Sequence, residues 1–207
     1  TSIQAWLRDS AEMLADAGIT SALLDAELIL AHTVRKNRTW LHAHHDERLT
    51  ERQLEIAYAR LQLRLDRTPL AYIIGHREFY GRLFKVTPSV LIPRPESEAI
   101  ITCLRQYGPH TGRLVDVGTG SGCLGITAKL EIPALDVTLT DNSRHALAVA
   151  RENTARLHAH VDIIQSDLLS DTFGTFDGII ANLPYVDASW ERSPETNCEP
   201  AEALFAS

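Results

Sequence analysis

Residues 176–185 read FDGIIANLPY, an apolar run that ends in a bare amide, a locked turn and an aromatic ring. An apolar stretch of this length reads as a buried strand. A strand that finishes in polar residues is where open α/β sheets place their chemistry. The side-chain carbonyl of Asn182 and the backbone carbonyl of Leu183 can each accept an N–H from a planar NH2 group. Tyr185 can pack on a flat substrate, and Pro184 fixes the turn. These residues suit an amide or aromatic amine held in line for attack, a task in which positioning dominates.

A second constellation lies upstream, in Val115-Asp116-Val117-Gly118-Thr119-Gly120-Ser121-Gly122-Cys123. Glycines let a backbone approach a ligand closely, and a helix starting near Cys123 aims its N-terminus at that ligand. A dinucleotide fingerprint needs its third glycine at position 123. Here it falls at 122, giving D-x-G-x-G-x-G. Asp141 ends the next strand, nineteen residues beyond Gly122, where a carboxylate accepts hydrogen bonds from a ribose diol. The third strand runs into Gln165-Ser166-Asp167-Leu168, an acid and an apolar side chain suited to an adenine, although Asp167 equally fits a helix cap. Against the plain alternative of a glycine-rich turn, this order of loop and acids points to an adenosyl cofactor. The expected cofactor-binding set is Asp116, Gly118, Thr119, Gly120, Ser121, Gly122, Asp141, Asp167, Leu168 and Asn182.

Those residues need a scaffold. From residue 113 onward strands are expected at 113–117, 136–140, 161–164 and 176–181, with helices at 123–130 and 143–157. This alternation implies parallel βαβ units with right-handed crossovers. Upstream, the spacing of Ile3, Trp6, Leu7, Ala11 and Leu14 predicts a first helix stopped by Gly18. Residues 21–36 predict a second, with Leu24, Leu28 and Ala31 on one side. A third starts at Thr50, where Thr50-Glu51-Arg52-Gln53 has the form of a capping box, and runs through Leu54, Ala57, Tyr58, Leu61 and Leu65 toward Pro69. From periodicity alone these helices are a docking module or a lid that completes a core. Between them and the sheet, residues 79–86 read as a short hairpin around Gly81. Arg94 stands between Pro93 and Pro95, fixed for a functional geometry or a salt bridge. Pro95 is placed to open a helix running to Gly108.

At 207 residues with a net charge of −7, the chain is long enough for a sizeable core and lacks the positive balance of a nucleic-acid-coating protein. Three widely spaced cysteines, Cys103, Cys123 and Cys198, fit a reducing compartment and give no metal-site spacing. His42, His44 and His45 form a histidine-bearing loop rather than a ligand set. No metal is expected, no apolar run spans a membrane, and the start at Thr1 is not a signal peptide.

The D-x-G-x-G-x-G loop resembles the first motif of S-adenosylmethionine-dependent methyltransferases, and Asn-x-Pro-Tyr resembles the loop of amino-group methyltransferases. More specific are PLAYIIG at 69–75, EFYG at 78–81, LIPRPESE at 91–98 and EPAEAL at 199–204. Together these resemble the release-factor glutamine methyltransferases, the HemK-type family, over nearly the whole chain. The resemblance implies an α/β fold, a Rossmann-like class I methyltransferase domain (96–207) stopping after its fourth strand. A helical release-factor-docking domain (1–68) and a hairpin connector (69–95) precede it. It further implies a cytoplasmic enzyme that uses S-adenosylmethionine to methylate the side-chain amide of the glutamine in a Gly-Gly-Gln loop of a peptide chain release factor. Asn182, Pro184 and Tyr185 would then be catalytic, and Asn182, Leu183, Pro184, Tyr185, Phe79 and Arg94 would hold the acceptor. No membrane or direct nucleic-acid partner is implied.

Two features depart from the family. Leu183 stands where Asn-Pro-Pro-Tyr has its second residue, proline, and Asn-Leu-Pro-Tyr also occurs in ribosomal-RNA adenine dimethyltransferases. The chain ends at Ser207, with four of an expected seven strands and an open sheet edge. The alternatives are therefore an rRNA or DNA adenine amino-methyltransferase, and a truncated binder of cofactor or release factor without turnover.

Overall fold

The computed structural model describes residues 1–183 and 193–204. The chain divides into two compact units, Thr1–Ile74 and Gly75–Ser207.

In the first unit, α1 (Ile3–Asp16) starts where Ser2 accepts a hydrogen bond from the Ala5 amide and buries Ile3, Trp6, Leu7 and Leu14. α2 (Ala22–Val34) ends at Arg35 in the left-handed region. α4 (Glu51–Leu65) opens with the anticipated capping box, in which Thr50 and Gln53 exchange side-chain-to-backbone bonds. Two short helices escape the periodicity. α3 (Arg38–Ala43) occupies what reads as a histidine loop and is capped by Asn37, and α5 (Leu70–Ile74) follows Pro69. Neither is long enough for a helical repeat to stand out.

The inward face of α2 agrees with the expected one at Ala31 and departs from it at Leu24. Leu24 is 42% exposed, whereas Asp25 and Glu27 are buried beside Ala26, Ile29 and Leu30. Both acids have partners. Arg64 Nε lies 2.7 Å from Asp25 Oδ2, and Glu27 takes Arg38 on one oxygen and His42 Nε2, at 2.9 Å, on the other. Buried carboxylates persist only when paired in this way. α5 packs on α2 and α4 and so belongs to this unit, extending it past residue 68.

The second unit opens with a hairpin, β1 (His76–Phe79) and β2 (Arg82–Lys85), turning at Tyr80-Gly81 with positive φ at both residues. Paired positive φ values match the right-handed twist of the flanking strands. Pro95–Ser97 form a single 3-10 turn before α6 (Glu98–Tyr107). There follow β3 (Gly112–Val117), α7 (Cys123–Glu131), β4 (Leu135–Asp141), α8 (Arg144–Arg156), β5 (Asp162–Gln165), β6 (Gly178–Ala181) and α9 (Ala201–Leu204). The sheet is parallel, in the order β5-β4-β3-β6. The strand order reverses at β3, so the crevice beyond the carboxyl ends of β3 and β6 is the expected ligand position. β6 starts two residues later than anticipated, and Phe176 lies under the Arg113 guanidinium, 4.6 Å from ring centroid to Cζ. Among the described residues no helix is long and apolar enough to cross a membrane.

Candidate active site

The crevice holds a cavity of about 520 Å³ whose walls include Gly118, Gly120, Asp141, Asp167, Asn182 and Arg94. Its floor is the loop between β3 and α7. Gly118, Gly120 and Gly122 all have positive φ. Gly122 caps α7, and a Cβ there would meet Ile126 Cδ1 at 2.7 Å, so a larger residue could not keep both the backbone and the helix packing.

Three buried or half-buried side chains hold the loop in place. Asp141 Oδ2 accepts from the Gly120 amide and Oδ1 from Ser143, both at 2.9 Å. Asn153 donates to the Ser121 carbonyl and also exchanges two bonds with the Lys85 backbone, tying the hairpin to the loop. Asp116 Oδ2 accepts from Thr119 Oγ1 at 2.6 Å and from the Gly125 amide at 2.9 Å. Asp116 therefore lies beneath the loop, and it is not a cavity wall as a cofactor ligand would be. The same is true of Gly122. Gly118, Thr119, Gly120, Ser121, Asp141, Asp167 and Leu168 line the cavity. No helix follows Asp167, which leaves its reading as a helix cap without support.

Burial pushes the Asp116 carboxyl up to about 6, opposed by its bonds from Thr119 and Gly125 and reinforced by the nearby Asp141 charge. A carboxyl raised above its unfolded value favours the folded state fully below that value. The advantage is lost as pH climbs through the folded pKa. The stability of the wild type relative to Asp116→Asn should thus fall between about pH 4 and pH 6, by on the order of 3 kcal/mol, and stay flat above. Urea unfolding of both proteins across that range measures it. A difference that grows with pH would mean the two donors outweigh burial. Burial likewise pushes the neighbouring Cys123 thiol up to about 12, so it remains neutral.

An adenosyl group fits these residues. The floor offers open space at Gly120, where an added Cβ would meet nothing within 4 Å, so a ligand can approach the backbone closely. Asp141 is half-buried at the end of β4, and its oxygens retain lone pairs for a diol. Asp141→Ala is expected to weaken S-adenosylmethionine binding by about 2 kcal/mol, roughly 30-fold, the scale of charge-assisted hydrogen bonds. Titration calorimetry decides it, and unchanged affinity would remove Asp141 from the cofactor site.

Asn182 and Leu183 follow β6, whose Ala181 is paired with Val117 of β3. The register sets Asn182 level with Gly118, and both line the cavity. The Leu183 side chain reaches over the loop: a Cβ built on Gly118 would come within 3.0 Å of Leu183 Cδ2. Pro184 and Tyr185 lie outside the described residues. Phe79 is placed differently from an acceptor contact. It is fully buried in the core, edge-on to Phe84 with ring centroids 6.1 Å apart. Arg94 does line the cavity, and it also makes the salt bridge anticipated as its alternative, to Glu199. Glu199, Asn153 and the propping role of Asp116 are legible only in three dimensions. Glu199 stands in the EPAEAL stretch, so a signal was present without a role attached.

Residues 5–75 match the family described as PrmC N-terminal domain, and residues 95–196 match the Methyltransferase small domain. The chain is 42% identical over 196 residues to the release factor glutamine methyltransferase of Koribacter versatilis, covering 91% of this chain and 70% of that one. To the release factor glutamine methyltransferase of Chlorobaculum tepidum it is 36% identical over 218 residues, covering 97% and 74%. A bifunctional methyltransferase of Rickettsia bellii is 32% identical across 99% of this chain and 43% of its own length.

Proposed function

We propose that this chain, which belongs to the release factor glutamine methyltransferase family, transfers a methyl group from S-adenosylmethionine to a glutamine side-chain amide of a peptide chain release factor. The glutamine is that of the factor's Gly-Gly-Gln loop, and the reaction takes place in the cytoplasm. One observation carries the reading: the cofactor-type loop with its diol acid and the amide of Asn182 meet in a single cavity, on neighbouring parallel strands.

Bound there, S-adenosylmethionine supplies an electrophilic methyl on a sulfonium sulfur. The glycine loop and Asp141 would hold the nucleoside, and Asp167 and Leu168 would flank the adenine. Asn182 Oδ1 and the Leu183 carbonyl each accept one N–H of the acceptor amide. Those two bonds would orient the nitrogen as the N–CH3 bond forms and the S–CH3 bond breaks, leaving the neutral thioether, and would favour loss of the amide proton to water. An amide nitrogen is a poor nucleophile because its lone pair is delocalised, so holding it in line at about 3 Å is the main contribution the protein can make. Arg94 borders the acceptor side. Leu183 supports the reading through its backbone carbonyl, which any residue at that position supplies.

The test is transfer of labelled methyl from S-adenosylmethionine to a purified release factor, beside a copy whose loop glutamine is alanine. Label on the first alone supports the assignment. Label on neither, with cofactor still bound, overturns it, and ribosomal RNA becomes the acceptor to try.

A further inference from the structure

We infer that Glu199 is a positioning residue for the acceptor wall of the cavity, acting as a buried latch between the proline-flanked arginine segment and the segment leading into α9. This rests on the methyltransferase reading above. The Glu199 side chain is only 3% accessible, although the residues on its N-terminal side, Asn197 and Cys198, are exposed. One oxygen accepts the Ile92 amide at 3.1 Å, and the other is paired with the Arg94 guanidinium. Ile92 carries the last backbone N–H before Pro93, and Pro95 supplies none after Arg94. The segment around Arg94 therefore has few backbone donors of its own, and a distant carboxylate fixes two of its groups.

Both ends of the latch belong to the cavity. Leu91, Pro93 and Arg94 line it on one side of the pair, and Pro200, Glu202 and Ala203 on the other. The second segment has little regular structure, a 3-10 turn at Pro194–Cys198 and the single helical turn of α9. Glu199 and Leu204 are both buried in it. A buried carboxylate is costly to desolvate, and a paired one is retained where it imposes a single geometry. The cofactor side, by contrast, is held by bonds of its own: Asp141 to Gly120, Asn153 to Ser121 and Asp116 to Thr119. None of these involves Glu199 or Arg94. Releasing the latch should therefore move the wall that meets the acceptor and leave the cofactor floor in place.

The experiment compares wild type, Glu199→Ala, Glu199→Gln and Arg94→Met in labelled methyl transfer to the release factor, with S-adenosylmethionine affinity measured by calorimetry. Glu199→Ala is expected to lower kcat/KM for the release factor about 100-fold, the effect of an ångström-scale misplacement, while cofactor Kd moves less than about 3-fold. Arg94→Met should fall by a similar factor. Glu199→Gln, which keeps an acceptor for the Ile92 amide, should lose less and also serves if the alanine variant does not fold. Transfer by Glu199→Gln and Arg94→Met at wild-type rates overturns the latch, as does a loss of cofactor affinity in step with transfer. A wild type that binds cofactor and labels no release factor defeats the underlying reading, and the latch with it.

Discussion

Asn182→Ala is expected to lower kcat for glutamine methylation by about 10²–10³-fold while leaving S-adenosylmethionine affinity within a few-fold of wild type. The magnitude is that of removing one preorganised polar group aimed at the reacting centre. The asymmetry follows from placement. Asn182 stands one residue past β6, level with Gly118 across the β3–β6 pair, whereas the bonds that shape the floor come from Asp141, Asn153 and Asp116. Removing the side chain should thus leave the nucleoside pocket intact and, on the proposed role of Asn182, free the acceptor amide to rotate. Single-turnover transfer and calorimetry, run on the same preparations, separate the two quantities. Equal losses in rate and affinity would mean that Asn182 holds the cofactor instead of the acceptor.

The parts of this site that repeat over short distances were open to reading in the sequence. Alternating strands and helices, the glycine spacing and Asp141 at a strand end are local patterns, and their element boundaries agree with the structure to within about two residues. What could not be read depends on partners far along the chain. Asp25 and Glu27 are buried on α2 with Arg64 and Arg38 as partners, so apolar periodicity gave the inward face correctly at Ala31 and missed the two acids. Asp116 has the identity of a motif acid and the position of a strut, because its oxygen is taken up by Thr119 and Gly125. Phe79 lies in a stretch shared with the family but serves the core, where the two hairpin phenylalanines pack together. A motif thus reports that a residue type is required at a place without reporting which side of the loop requires it.

Arg64→Met should cost the helical unit about 3–5 kcal/mol. Arg64 and Asp25 form a salt bridge at 2.7 Å with side chains 8% and 5% accessible. Their mutual attraction is offset by the desolvation of both, so the intact pair adds little net stability. Removal of one partner is different, because it leaves a carboxylate buried without compensation. The double variant Asp25→Leu/Arg64→Met removes both charges and should recover most of the loss, or exceed wild type. A contrasting pair sharpens the point: Lys85 and Glu152 are also in contact but 35% and 54% accessible, and breaking them should cost under about 1 kcal/mol. Urea unfolding of the four proteins provides the comparison. A loss below about 1 kcal/mol for Arg64→Met would mean that water reaches Asp25 once the arginine is gone. A double variant no more stable than the single one would mean that the arginine stem, rather than the charge pair, is what the packing of α2 against α4 requires.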